Sequence, residues 1–236
     1  NPLYLVFLFD YLIFFELNLL NVSLFLVLAV LIGYFVYWIN SNIEKYGLKK
    51  LMRIGALVGI AGFLAILILS LALDADQNNK MPFYLVSLPF AGVAVGLIGF
   101  MLLSQPLMAD CMDHDEVLTG KRRETTYAGV NALVTKPAVS LGKAAFLFIL
   151  GFYGFQSAPG PGQQAPPPSQ QLPSVATGVI IAFTIIPVIC LIIGFIALRW
   201  FPLDGEEWLE QKKKLQKIHQ EKEKEYLESL KEDGVI

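Results

Sequence analysis

The chain has 236 residues, 55% of them hydrophobic and 16% charged, with a mean hydropathy of +0.57. A water-soluble domain of this length needs more polar surface than that, so the bilayer is the solvent in which the chain has to fold. A formal net charge of −2 offers no bulk attraction for nucleic acid or an acidic substrate, and two histidines leave enzyme chemistry little to work with.

At 1.5 Å per residue, a hydrocarbon core of ~30 Å takes roughly 20 mostly apolar helical residues. Six runs of that order predict an all-α membrane protein with six transmembrane helices, at Leu3 to Leu19, Val22 to Ile39, Leu51 to Leu73, Pro82 to Met108, Tyr127 to Phe155 and Val175 to Trp200. The first run has no basic leader and no small-residue cleavage site, so it is expected to be a span entered abruptly, as though upstream sequence were missing, and not a signal peptide. Only Glu16, Asn18 and Asn21 break it from the second, which predicts a very tight turn with Glu16 at the interface. Asp10 falls near the middle of the first run, where a charge is costly. It is expected either to pair with Lys136 or Lys143 or to be held protonated.

Lys45, Lys49, Lys50 and Arg53 crowd the second connection, Lys121, Arg122 and Arg123 the fourth, and seven lysines follow Arg199. The third connection has Lys80 alone, and no basic residue lies between Gln156 and Ser174. The positive-inside rule then places the second and fourth connections and the tail in the cytoplasm, with the N-terminus there too. Gly55, Gly59 and Gly62 stripe the third span, and Gly92, Gly96 and Gly99 the fourth. Such stripes serve close packing of neighbouring helices or a surface that slides during transport.

The fourth connection carries Asp110, Cys111, Asp113, His114, Asp115 and Glu116, then Gly120, Lys121, Arg122, Arg123 and Glu124. It lacks the ligand order of a calcium loop and a second Cys or His for zinc, so no metal is expected. A solvated charged turn and an ionic latch, in which acids at one helix end exchange partners with arginines at the next, both fit. The two cysteines, Cys111 and Cys190, fall at a helix end and within a span, and are expected to be free thiols.

Lys136 is the most informative single residue. It lies about ten residues into the fifth span, ~15 Å from that span's basic end, and insertion there costs roughly 2.5 to 3.5 kcal/mol unless a counter-charge or water-filled cavity receives it. Snorkelling to an interface is the alternative, and easier for Lys143 two turns further on. Pro137 is expected to bend the span beside it. The loop with Pro159, Gly160, Pro161, Gly162 and Pro166 to Pro168 is expected to be a solvated, mobile hairpin without a helix. No Ser, His and acid set, His-Glu-x-x-His motif or phosphate-cradling glycine loop is present. Residues 204–236 mix Glu and Lys at helical spacing with sparse apolar points such as Trp208, Leu215 and Ile218, which predicts a charged helix along the cytoplasmic face after a bundle at 1–203.

The stretch MADCMDHDEVLTGKRRETTYAGVNALVTKPAVSLGKAAF, residues 108–146, resembles the fourth connection and penultimate helix of the glycoside–pentoside–hexuronide:cation symporters. The pattern is Asp110, Asp113, Gly120, Arg122, Arg123, Glu124 and then a helix with a buried lysine, Lys136. YGLKKLM after the second span and FPLDGEEW at the start of the tail are similar to the corresponding segments of such proteins. The resemblance implies the C-terminal half of a major facilitator fold, and symport of a sugar-like solute with sodium or protons by alternating access in the cell membrane. It implies no other cofactor, and cation-binding acids mainly in a first half that this chain lacks, to be supplied by an N-terminal six-helix half or a second copy. It places Lys136 at the sugar and cation cavity and Asp110, Asp113 and Arg123 in a cytoplasmic gating network, to which Arg122 and Glu124 are added here. Because a sugar needs polar donors and an aromatic face, Tyr127 and Asn131 on the same helix, with Asp10, complete the candidate binding residues. A lysolipid or other amphiphile carrier, with the lysine holding a phosphate, and a half-length membrane partner that transports nothing are the alternatives.

Overall fold

The fold is that of a computed structural model, described for residues 2–15, 18–76, 78–158, 160 and 165–232. Glu16 and most of the Pro159 to Gly162 stretch of the proline-rich loop lie outside the described residues. In chain order the elements are α1 (Pro2–Tyr11), β1 (Ile13–Phe14), α2 (Leu19–Tyr46), α3 (Leu48–Ala72), β2 (Met81–Pro82), α4 (Phe83–Thr119), α5 (Glu124–Phe152), a 3₁₀ turn at Pro168–Gln170, α6 (Ser174–Ala197) and α7 (Glu206–Glu232). Among the described residues, helices α2 to α6 are the 5 that are long and apolar enough to cross a bilayer. The chain is an all-α integral membrane protein.

The first run departs from the expectation of a helix to Leu19. Its last helical bond runs from the Leu12 N–H to the Leu8 carbonyl, and the next residues are extended. Ile13 and Phe14 pair in parallel with Met81 and Pro82, and the Met81 N–H donates to the Leu12 carbonyl at 2.7 Å. Hydropathy does not distinguish an apolar helix from an apolar strand, and the β-branched and aromatic residues at 13–15 suit the strand. At ~15 Å, the ten-residue α1 reaches across about half of the hydrocarbon core.

The centre of the bundle is the crossing of α3 and α4, and its closeness comes from glycine. A Cβ placed on Gly96 would stand 2.4 Å from the Gly59 Cα, and one on Gly62 would stand 2.6 Å from the Val93 N. Four glycines of the two stripes, Gly59, Gly62, Gly92 and Gly96, therefore meet backbone to backbone. Gly99 instead faces the Phe35 and Ile39 side chains of α2, and Gly55 has open space beside it. Helix α6 also packs on α3, with Phe63 and Phe183 edge to face at 5.6 Å. The core holds Leu8, Phe63, Ile66, Phe146, Val179 and Ile180. A smaller one around Ile39, Leu51, Met52 and Leu103 seals the end near the α2–α3 turn. Helices α2 and α5 expose most of their apolar length.

The proline-rich loop is better anchored than a solvated hairpin. Gln171 is buried, accepts the Gln156 N–H at 2.9 Å and donates to the carbonyls of Gln156 and Pro166.

Candidate functional site

Helix α5 carries the mid-membrane candidates. Lys136 is twelve residues from Glu124, so it sits ~18 Å along a helix of ~43 Å, near the midpoint. Only Phe146 and Leu150 of α5 are buried, both toward its far end, so the half with Tyr127, Asn131 and Lys136 stands largely clear of the other helices. Lys136 and Asn131 are exposed and Tyr127 is half-buried. Tyr127 and Asn131 are four residues apart and share a face, whereas Lys136 lies about 140° around the helix from Asn131. Among the residues that share its face are Ser140 and Lys143, at four and seven residues. Ser140 Oγ donates back to the Lys136 carbonyl at 3.4 Å, and Pro137, having no N–H, gives none to the Leu133 carbonyl one turn before it.

Asp10 is not brought to this level. It is exposed in the last turn of α1, beside the α3–α4 connection, where Lys80 Nζ donates to its backbone carbonyl. Among the described residues neither Asp10 nor Lys136 belongs to a salt bridge. The expected pair is not formed because α1 ends at Tyr11, which leaves Asp10 at a helix end and not at mid-span.

The charge cluster lies where α4 outruns the bilayer. At 37 residues α4 is ~55 Å long, some 25 Å more than a hydrocarbon core takes. Its end is fixed by Gly120 at φ 68°, a left-handed cap whose N–H donates to the Glu116 carbonyl at 2.8 Å. That turn folds Arg122 and Arg123 back on the acids of the helix they follow. Arg123 grips Asp115 with two bonds, of 2.6 and 2.9 Å. Arg122 reaches Asp113 at 3.4 Å, Glu116 at 3.3 Å and also Glu124.

The cluster continues onto the tail, and sequence reasoning missed this half of it. Lys212 of α7 pairs with Asp110, which is 3% exposed, and His219 Nε2 meets Glu116 Oε1 at 2.8 Å. Trp208 is buried with its ring edge to face with His114 at 5.6 Å, and Leu215 is buried two turns further along the same face. The signal was the spacing of Trp208 and Leu215, seven residues, which marks one stripe of an otherwise polar helix.

These surroundings act on the acids in opposite directions. Burial raises the pKa of Asp113, and Arg122 and Lys212 only partly offset it. Burial pushes Glu116 up as well, but its hydrogen bonds and charge pairs with His219 and Arg122 outweigh this and hold its carboxyl below the usual range. Burial followed by the Asp110 charge pushes the Cys111 thiol up, which suits an unreactive thiol. All five charged residues expected in the cluster, Asp110, Asp113, Arg122, Arg123 and Glu124, are engaged in ion pairs, with Asp115, Glu116 and Lys212 in addition, and His219 hydrogen-bonds to Glu116.

Comparison with known proteins adds two findings. Residues 3–205 match the family described as MFS/sugar transport protein. The chain is also 24% identical over 172 residues to the glucuronide carrier protein homolog of Escherichia coli strain K12, a stretch that covers 73% of this chain and 34% of that protein. The chain thus spans about a third of the length of this curated relative. No solved structure matches it.

Proposed function

The chain belongs to the MFS/sugar transport protein family, and from that premise we propose that it forms one half of a carrier that moves a sugar or glycoside-like solute across the cell membrane, coupled to sodium or protons, by alternating access. The observation that carries this reading is Lys136, a cation at the midpoint of an apolar helix, exposed, and without a carboxylate partner among the described residues. A charge at that depth is tolerated where it faces polar ligands or water. The exposed faces of α2 and α5 are where a first half or a second copy would close a cavity around it. In that cavity Lys136 takes the solute or the counter-acid of the coupling ion, while Tyr127 and Asn131, about 180° and 140° around the helix from it, line the opposite face of α5.

The cluster of Asp110, Asp113, Arg122, Arg123 and Glu124 works outside the hydrocarbon, as a latch whose partners exchange when the halves rock. Coupling follows from the different affinity of solute and ion for the two orientations, with no covalent chemistry on the chain. The positive-inside rule puts this cluster and α7 in the cytoplasm, whereas the N-terminus would follow only from a sixth full span, which the ten residues of α1 are too short to make.

The experiment is uptake by liposomes containing the carrier, with a sodium or proton gradient and radiolabelled glycosides or uronides. Gradient-dependent uptake is the expected result. Lipid flipping without sugar uptake would support the amphiphile carrier, and neither activity would support a partner protein that transports nothing.

A further inference from the structure

Four cations gather where α2 turns into α3, and the structure divides them into two pairs. Lys49 and Arg53 serve the end of α6. Lys49 Nζ donates to the Phe201 carbonyl at 2.9 Å, and the Arg53 guanidinium lies 5.8 Å from the centroid of the Phe195 ring. Lys45 and Lys50 do neither. Their ammonium groups stand 5.3 and 5.2 Å from the centroid of one ring, that of Tyr46.

Two like charges on one ring repel each other, and a cation–π contact at an exposed site offsets only about 0.5–1 kcal/mol of that. A counter-ion is the ordinary remedy, and the protein does not provide it. Among the described residues Lys45 and Lys50 enter no salt bridge, although Glu44 is adjacent in sequence. Asp204, which reaches the same turn, lies against Gly47 and accepts the Gly205 N–H at 3.1 Å. Tyr46 also meets Trp38 at 6.0 Å, and Trp38 stacks on Phe35 at 6.0 Å. Tyr46 is exposed and Trp38 and Phe35 half-buried, so this aromatic column runs from the charged turn into the apolar length of α2. Paired cations at a membrane interface, above aromatic surface that descends into the hydrocarbon, match the two ends of an anionic amphiphile.

We propose that Lys45, Tyr46 and Lys50 bind the anionic headgroup of a phospholipid from the leaflet at this end of the bundle, with an acyl chain along Trp38 and Phe35. The phosphate sits between the two ammonium groups. Because Lys45 lies in the last turn of α2 and Lys50 in the first turn of α3, the lipid ties the two helices together at their turn. The site is independent of the solute carried.

The test is titration of the purified full chain, in detergent micelles, with phosphatidylglycerol and with phosphatidylcholine, bound lipid being counted by native mass spectrometry. Each lysine near an anionic surface is worth a factor of roughly five in affinity, so Lys45→Gln/Lys50→Gln weakens phosphatidylglycerol retention about thirtyfold. Phosphatidylcholine binding stays as it was, Lys45→Arg/Lys50→Arg retains the lipid, and the same charge loss in the tail, Lys213→Gln/Lys217→Gln, changes nothing. Three results would each overturn the proposal. They are undiminished retention in the Lys45→Gln/Lys50→Gln chain, an equal loss in the tail variant, and displacement of the lipid by inorganic phosphate at millimolar concentration, which would mark a free-phosphate site.

Discussion

Alanine at Gly96 should be the most damaging single methyl group that can be added to the bundle. Its Cβ would stand 2.4 Å from the Gly59 Cα, 2.8 Å from the Gly59 N and 3.0 Å from the Gly55 carbonyl oxygen, all main-chain atoms that no rotamer change can move. Ordinary carbon contacts are about 3.5–4.0 Å, so α3 and α4 must part by more than about 1 Å at their crossing. Overpacking of this kind costs about 1–3 kcal/mol, and parting the helices also loses the van der Waals contact that holds spans together in lipid. Gly129 has nothing within 4 Å of its would-be Cβ, and there alanine gains up to about 1 kcal/mol of helix propensity. The two variants should therefore differ by about 2–4 kcal/mol. Gly59→Ala should fall between them, since its nearest contacts are longer, at 3.1 Å to the Gly96 Cα and 3.2 Å to the Leu191 side chain. The assay is chemical or thermal unfolding in one detergent, followed by helicity and by monodispersity on a sizing column. Equal stability of Gly96→Ala and Gly129→Ala would refute the close crossing and return the stripes to a sliding surface with room to spare.

Three other outcomes follow from the charge cluster and the chain's orientation. Lys212→Met leaves the nearly buried Asp110 without its counter-charge, so α7 should loosen by roughly 1–3 kcal/mol and become a site of limited proteolysis. Adding Asp110→Asn should restore part of the protection, and no change in proteolysis would mean the pair contributes nothing. The lowered Glu116 pKa stabilises the docked tail above the usual glutamate range and ceases to do so as pH falls through the lowered value, whereas the raised Asp113 pKa favours docking at low pH and ceases to as pH rises through the raised value. Trp208 emission, in a Trp38→Phe/Trp200→Phe background, should then show acid undocking only below the usual glutamate range. In the same assay Glu116→Gln weakens docking at neutral pH and Asp113→Asn does not, and the reverse ranking would contradict the assignment. Finally, in a Cys111→Ser/Cys190→Ser background, an impermeant thiol reagent on intact cells should modify Ala165→Cys and spare Lys121→Cys, and the opposite pattern would invert the topology.

What was legible in the sequence was what depends on local composition. The apolar runs place α2 to α6 because twenty-odd apolar residues have one stable form in lipid, and the glycine stripes mark the crossing because close approach requires them. Termini were less legible: α4 continues eleven residues past Met108 because its polar end is helical but not apolar, and a hydropathy reading stops where the hydrocarbon does. The end of α1 at Tyr11 was hidden for the opposite reason, since residues 12–15 remain apolar while the backbone changes from helix to strand. The charge cluster was half visible. Asp113 and Arg122 stand on either side of one turn and can be paired by eye, but Asp110 with Lys212 and Glu116 with His219 are more than a hundred residues apart. Nothing local announces such a pairing except the Trp208 and Leu215 stripe that seats the tail. On α5 helical periodicity alone separates Tyr127 and Asn131 from Lys136, and the structure keeps them apart.

The central claim is that Lys136 works in a solute cavity and is not a lipid-facing cation that escapes to the interface. Coupled uptake by a carrier with Lys136→Met, set against the amount of folded protein in the membrane, tests it most directly. Methionine keeps the length of the side chain and removes its charge. The account predicts wild-type amounts of folded carrier, uptake reduced to background, and little rescue by Lys136→Arg, whose planar fork places charge differently from a compact ammonium. Uptake at the wild-type rate would contradict it.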